Sequence, residues 1–284
     1  MTLKLLDTFA GIGGFSLAAH LLGGFETIGF VEREPFCKSI LSQNFPGIPI
    51  YDDITTFQPE PGTADVICGG FPCQDISLAG KQAGIKKGTR SGLFYELMRV
   101  VCMVQPRYVV LENVSAILAN GLDTVLGELA ETGFDAEWAC IPASAVGACH
   151  QRDRWWLVAY PSRQQCHERQ PADTARTTRT STKLGNGHGK TAANANNQRQ
   201  QEQHAATLSS QKRWAGWSDA PQRLNPDWRS YLSEPVLCQG DDGLPGRVDR
   251  LKALGNAVVP QVAMIPLQRV LELSSDNGHR NAVR

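Results

Sequence analysis

Asp7-Thr8-Phe9-Ala10-Gly11-Ile12-Gly13-Gly14-Phe15-Ser16 decides the fold class of this chain. Leu3-Lys4-Leu5-Leu6 leads into it as a short strand, and Phe15-Ser16-Leu17-Ala18-Ala19-His20-Leu21-Leu22 leads out of it with helical character. Three glycines make the join. Glycine reaches left-handed backbone and lets a ligand approach the main chain closely. Glu32 stands 19 positions after Gly13, at the end of a second strand candidate over 27–31. A carboxylate at that place can accept both hydroxyls of a ribose. The pattern is not GxGxxG, because Ser16 occupies the third glycine position. A mononucleoside ligand is therefore favoured over a dinucleotide. Alone, the turn is explained equally well as a plain strand–helix junction; Glu32, with Asp53-Ile54 after a further short segment, tips the reading to a nucleoside.

Outward from this turn the chain alternates strand and helix. A helix is expected around 35–44, a strand over 64–68, a helix over 93–104, a strand over 108–111 ending at Glu112, and a late strand over 155–159. This rhythm predicts an α/β fold, a mostly parallel sheet with helices on both faces. Ligands bind such sheets at the carboxyl ends of the strands. Asp7, Glu32, Cys73 and Glu112 all fall just after predicted strands, which places them at one edge. Residues 1–160 thus read as one domain. From 161 to 210 the chain is rich in Gln, Asn, Thr, Ala and Arg and almost free of large apolar residues, so it is expected to be a flexible insertion. Residues 211–247, with Trp214, Trp217 and Trp228, regain apolar bulk. Residues 248–284 read as a return to the first domain, with a turn at Gly255-Asn256 and then a helix carrying Val262, Ile265, Leu267 and Val270.

Composition narrows the function classes. Hydrophobic residues make up 42% and charged residues 20% of the 284, ordinary for a soluble globular protein. No apolar run is long enough to span a bilayer, and the first residues lack a signal-peptide core, so a cytoplasmic protein is the default expectation. Cysteines stand at 37, 68, 73, 102, 140, 149, 166 and 238 without a CxxC pair or zinc spacing, so neither a metal site nor a disulfide framework is expected. The formal net charge is zero, yet 161–215 holds nine Lys and Arg against three Asp and Glu. That segregation suits a face turned to phosphates as well as it suits a solvated polar loop.

Two residues carry candidate chemistry. Cys73 lies in Gly69-Gly70-Phe71-Pro72-Cys73-Gln74 and Glu112 in Leu111-Glu112-Asn113-Val114. Taken singly, a cysteine is more often a small buried hydrophobe than a nucleophile, and a glutamate is more often a surface carboxylate. The set changes those odds. Phe9-Ala10-Gly11-Ile12-Gly13-Gly14, Gly70-Phe71-Pro72-Cys73-Gln74, Glu112-Asn113-Val114, Arg152-Asp153-Arg154 and Gly255-Asn256-Ala257-Val258 follow one another in this order. In this the sequence resembles the DNA (cytosine-5) methyltransferase family over about 1–160 and 248–270.

The resemblance implies a Rossmann-like methyltransferase fold and S-adenosylmethionine as cofactor. Phe9, Gly11 and Gly13 would line its site, Glu32 would hold the ribose, Asp53 and Ile54 would meet the adenine, and Asn256 and Val258 would complete the pocket. Cys73 would be the nucleophile that adds to C6 of cytosine, and Glu112 the acid at N3. Arg152 and Arg154 would orient the flipped base and the catalytic loop, and 74–87 resembles the loop that closes over DNA. Double-stranded DNA would be the partner, with a monomer as the expected assembly and a cognate restriction endonuclease as one setting. Two positions depart from the family's pattern. His150 stands where the family commonly has Gln, and 211–247 is short for a target-recognition region. Trp214 and Trp217 there could pack or could stack on bases, packing being favoured. Methylation of RNA, a catalytically silent nucleic-acid-binding relative and, more distantly, a nicotinamide dehydrogenase stay open on sequence alone.

Overall fold

The computed structural model describes residues 2–72, 92–162 and 247–281. Cys73, the loop 74–87, the polar stretch with its basic surplus, and the region 211–246 lie outside the described residues.

Strand β1 (Leu3–Thr8) is the axis of the sheet. Around it lie β2 (Phe25–Val31), β3 (Ile50–Tyr51), β4 (Val66–Gly69), β5 (Tyr108–Val114), β6 (Phe134–Ile141) and β7 (Arg154–Pro161). They form one sheet in the order β3-β2-β1-β4-β5-β7-β6. Strands β1 to β5 pair in parallel, while β7 runs antiparallel between β5 and β6. The expected mostly parallel sheet is therefore present, and the order of strands changes direction at β1/β4, next to the glycine turn.

The strands alternate, and each face has its own core. Leu6, Ile67, Val109, Leu111, Trp155 and Leu157 pack on Phe94, Leu97 and Val101 of α3 (Leu93–Val104) and on Val125 and Leu129 of α4 (Leu122–Glu131). Leu5, Val66, Tyr108, Val110, Trp156 and Val158 face the other way, onto Phe15 and Ala18 of α1 (Gly14–Leu22) and Val262, Leu267 and Val270 of a long C-terminal helix. Each fully buried side chain of this kind contributes about 1.5–3 kcal/mol relative to exposure. Period-two alternation with both faces covered is what a central sheet of an α/β protein requires.

Local sequence explains the helix ends. The Asp7 carboxylate reaches across the turn, and its Oδ2 accepts from the Ser16 backbone N–H at 3.2 Å and the Ser16 hydroxyl at 2.8 Å, which satisfies one orphan N–H at the start of α1. Helix α2 (Pro35–Asn44) starts on a proline, whose fixed φ suits a first helical position.

The C-terminal part differs from its expected form. Residues 247–256 form a helix, α5 (Arg247–Asn256), so Gly255-Asn256 ends a helix rather than making a turn; the turn falls at 257–259, before α6 (Pro260–Asn281). The apolar residues of α5 gave no core-facing pattern to read: Val248, Leu251 and Leu254 are exposed. Two further corrections concern the sheet edge. Asp7 and Glu112 lie inside β1 and β5, not just after them, because pairing continues through Thr8↔Val31 and Val114↔Arg154. Helix α6 is fastened to the far edge by Arg269, whose Nε and Nη2 donate to Glu137 Oε2 and Oε1 at 3.1 and 3.0 Å. Among the described residues no helix is long and apolar enough to cross a membrane, and no cluster of His, Cys, Asp or Glu could hold a metal.

Candidate active site

The cofactor end is shaped by backbone. Phe9, Gly11 and Gly13 all have left-handed φ, at 52°, 55° and 86°. Phe9 adopts it despite its side chain, an unfavourable conformation that persists only where the surrounding structure over-determines it. The glycines differ in what surrounds them. A Cβ on Gly13 would meet Phe45 at 2.6 Å, and one on Gly14 would meet the Val258 carbonyl at 2.7 Å, whereas a Cβ on Gly11 would meet nothing within 4 Å. The open approach to the turn is therefore at Gly11.

Glu32 closes this end. Its Oε2 accepts the Gly11 N–H and its Oε1 accepts the Glu34 N–H, both at 2.7 Å. Each carboxylate oxygen keeps a further lone pair, so the group can still accept two vicinal hydroxyls beside the open approach. This pair of acceptors fits a nucleoside ribose. Asp53 folds onto its own loop, its Oδ1 accepting from the Thr55 N–H and hydroxyl at 2.9 Å each. These hydrogen bonds, the backbone one foremost, and the more distant Arg33 hold its carboxyl below the usual range. Ile54 as a whole is 3% exposed and belongs to the core beneath this loop. Arg99 of α3 holds that loop in place, its Nη2 donating to the carbonyls of Ile54 and Phe57 at 2.5 and 3.0 Å. Nothing in the sequence around Arg99 signalled this role.

The catalytic end is built from side chains. Register pairs Glu112 of β5 with Trp156 of β7, and Val114 with Arg154, so Glu112 and Arg154 share a face. Arg154 Nε meets Glu112 Oε1 at 3.1 Å. Glu112 is nonetheless pushed up to about 7, because burial outweighs the opposing pull of Arg154 and Arg152. It can therefore stand as a proton donor near neutrality. Glu112, Arg152, Arg154 and Trp156 line a pocket with Ile141, Val259 and Val262. On the other side of Glu112, a Cβ on Gly70 would lie 2.9 Å from Glu112 Oε2. A side chain at position 70 would push the Glu112 carboxylate aside.

Asn113 secures the same approach from the opposite face. It is 2% exposed, and its Nδ2 donates to the Phe71 carbonyl at 3.1 Å while its Oδ1 accepts the Val114 N–H at 2.9 Å. Phe71 packs on Phe94 with ring centroids 5.1 Å apart. The start of the cysteine-bearing segment is thus fixed by Asn113, Gly70 and Phe94. A buried asparagine inside an apolar strand was the available signal for Asn113; Gly70 had none beyond its own identity.

The two late arginines part company. Arg154 pairs with Glu112, but Arg152, at φ 37°, turns to the C-terminal segment, where its Nη2 donates to the carbonyls of Gly255 and Ala257. Val258 lies on Gly14 of the glycine turn, and Asn256 is exposed at the end of α5. His150 is exposed as well. The described residues therefore bring Phe9, Gly11, Glu32 and Val258 to one end and Glu112 and Arg154 to the other, with Arg152 between them.

Comparison with known proteins identifies the family. Residues 3–232 match the family described as C-5 cytosine-specific DNA methylase. The type II methyltransferase M.CviJI of a Paramecium bursaria Chlorella virus is 36% identical over 164 residues, 56% of this chain and 43% of its own length. M.HpaII of Haemophilus parainfluenzae is 35% identical over 55% of this chain and 45% of its own. M.AquIA of Picosynechococcus is 33% identical over 56% of this chain and 72% of its own. The chain thus spans less than half the length of the first two.

Proposed function

The chain belongs to the C-5 cytosine-specific DNA methylase family, and on that footing we propose that it transfers a methyl group from S-adenosylmethionine to C5 of cytosine in double-stranded DNA. The observation that carries the reading is the position of Glu112: its side chain only 12% exposed, raised to about 7, and against the Gly70 that leads to Cys73.

Carbon 5 of cytosine is a poor nucleophile. The Cys73 thiolate adds to C6, forming an S–C6 bond, and Glu112 delivers its proton to N3 as the C5–C6 double bond opens. The ring then carries enamine character at C5. S-adenosylmethionine, when bound, supplies the electrophilic methyl group. Loss of the C5 proton to a base restores the C5–C6 double bond and expels the Cys73 thiolate, and N3 returns its proton to the Glu112 carboxylate. Arg154 holds the Glu112 carboxyl in place across β5 and β7. Glu32 accepts the cofactor ribose hydroxyls, Phe9, Gly11 and Gly13 line the open approach, and Asp53, Ile54, Asn256 and Val258 bound the rest of the pocket. C6 cannot be reached inside a duplex, so the target base is rotated out of the stack. Residues 211–247 are assigned to reading the sequence around the target.

The test is incubation of the full chain with labelled S-adenosylmethionine and either duplex DNA or tRNA, together with 5-fluorocytosine DNA as a trap for the adduct. Methyl incorporation into DNA and a denaturation-resistant adduct are expected, both lost in Cys73→Ala with cofactor binding kept. Incorporation into tRNA alone would move the substrate class, and turnover by Cys73→Ala would overturn the mechanism.

A further inference from the structure

Arg152 and Arg154 are two residues apart, yet their guanidinium groups serve different partners. Arg154 faces Glu112 at 3.1 Å. Arg152 Nη2 donates to Gly255 O at 2.9 Å and to Ala257 O at 2.6 Å, the two carbonyls that flank Asn256. One guanidinium nitrogen carries two N–H groups in a rigid plane, so a single Nη2 can hold two carbonyls at once. Arg152 reaches them from a left-handed backbone, φ 37°, which a residue with a side chain seldom adopts. Of the three non-glycine residues with such a φ among those described, Gln105 ends α3; the other two, Phe9 and Arg152, flank the site.

The segment that Arg152 holds covers the cofactor end. Val258 lies against Gly14, its carbonyl 2.7 Å and its Cβ 3.0 Å from where a Gly14 Cβ would be. Just upstream, Lys252 Nζ pairs with Glu34 Oε1 at 3.0 Å, and the Glu34 N–H is a ligand of Glu32 Oε1. The 252–258 stretch is therefore tied at three points: to Arg152 in the middle, to the glycine turn at one side and to the Glu32 loop at the other. Only the first of these ties comes from the neighbourhood of Glu112.

We propose that Arg152 is a positioning residue of the cofactor pocket, clasping residues 255–257 so that Asn256 and Val258 close over the glycine turn, while Arg154 makes the direct contact with the acid on the base side. This rests on the reading of Glu32 and the glycine turn as the S-adenosylmethionine site. It makes the pair Arg152-Asp153-Arg154 a junction: one arginine on the methyl donor's side of the fold, the other on the side of the acceptor's acid.

The experiment measures S-adenosylmethionine binding by calorimetry on the full chain, for the wild type, Arg152→Ala, Arg152→Lys and Arg154→Ala. Amide exchange of residues 252–260 and single-turnover methylation at saturating cofactor are read alongside. Arg152→Ala is expected to raise the cofactor Kd roughly 10-fold or more, the scale of losing charge-assisted hydrogen bonds, and to speed exchange at 255–259. Its single-turnover rate at saturating cofactor falls less than that of Arg154→Ala. Arg152→Lys, which keeps the charge but not the fork, falls between. Arg154→Ala shows the reverse split, with the Kd kept and the rate lost. An unchanged Kd in Arg152→Ala with a fallen rate would overturn the proposal and return Arg152 to the base side. A wild type that binds no S-adenosylmethionine would overturn the cofactor reading itself, a result separate from equal binding by wild type and variant.

Discussion

Glu32 and Glu112 are carboxylates at the same edge of one sheet, held by opposite means. Glu32 is half-buried and receives two backbone N–H groups, from Gly11 and Glu34, at 2.7 Å each. Glu112 receives no backbone donor among the hydrogen bonds of the described residues; it has a guanidinium at 3.1 Å and a surrounding that strips it of water. Backbone donors favour a carboxylate that accepts hydrogen bonds. Burial favours a carboxyl that gives a proton away. The fold thus makes an acceptor at the cofactor end and a donor at the catalytic end from the same residue type, and the proposed reaction uses each as the environment prepares it.

The comparison breaks most sharply at Glu112. Glu112→Gln keeps the shape and removes the proton, so methyl transfer is expected to fall by roughly 100-fold or more, the usual worth of a positioned acid, with cofactor binding unchanged. The wild-type rate should decline as pH rises through about 7, where Glu112 loses its proton, and this limb should be missing from the variant's profile. Stability follows the same sign. The folded-state value lies above the ordinary 4.5, so the contribution of Glu112 is fully present below that value and lost as pH rises through about 7. Asp7, raised by burial to about 7 as well, adds a loss in the same window. Glu112→Gln should therefore gain in melting temperature relative to wild type at pH 8 and lose that advantage toward pH 5. A profile whose limb survives in the variant would show that another group titrates.

At the cofactor end the expected effect is smaller and appears in binding. Glu32→Ala removes the acceptor for two ribose hydroxyls and leaves the Gly11 and Glu34 N–H groups without their partner. A Kd for S-adenosylmethionine raised by roughly 10- to 100-fold is expected, from hydrogen bonds to a charged group worth about 1.5–3 kcal/mol each less what water recovers. Single-turnover rate at saturating cofactor should stay far closer to wild type than that of Glu112→Gln. An equal loss of rate in both variants would mean that the two ends do not work separately.

The two ends also differed in how far the sequence revealed them. The cofactor end is local: three glycines, a strand before, a helix after and an acid 19 positions on can all be read along the chain. The helices Pro35–Asn44 and Leu93–Val104 were equally legible, one from its proline start and the other from its apolar spacing. The catalytic end depends on pairing between distant strands. Strand alternation carries no direction, so nothing marked β7 as antiparallel, and with it the register that sets Arg154 beside Glu112. Strand β6 has only Ala136, Glu137 and Ile141 buried, and α4 carries Gly127 in its interior, so neither offered a clear period. The identity of Glu112 could be read from its motif; its burial, Gly70 beside it and Asn113 behind it became visible only once β4, β5 and β7 were side by side.

The smallest expected effect tests whether the C-terminal segment truly belongs to the cofactor end. Gly14 is the first residue of α1 and has no left-handed φ, so alanine there suffers no backbone strain and gains some helix propensity, at most about 1 kcal/mol. Against that, its Cβ would lie 2.7 Å from the Val258 carbonyl and 3.0 Å from the Val258 side chain. A backbone atom cannot rotate away, so the segment 257–259 must move, and overpacking of this kind costs about 1–3 kcal/mol. Gly14→Ala should thus lower the melting temperature by a few degrees and raise the cofactor Kd by a few fold, while the pH limb assigned to Glu112 stays where it is. Gly11→Ala is the matched control: it meets open space but must hold φ 55°, so its loss comes from strain and from a methyl group in the ligand's approach, not from displacement of Val258. Faster amide exchange at 255–259 in Gly14→Ala but not in Gly11→Ala would separate the two causes. Exchange unchanged in both would mean that Val258 rests on the glycine turn without closing it.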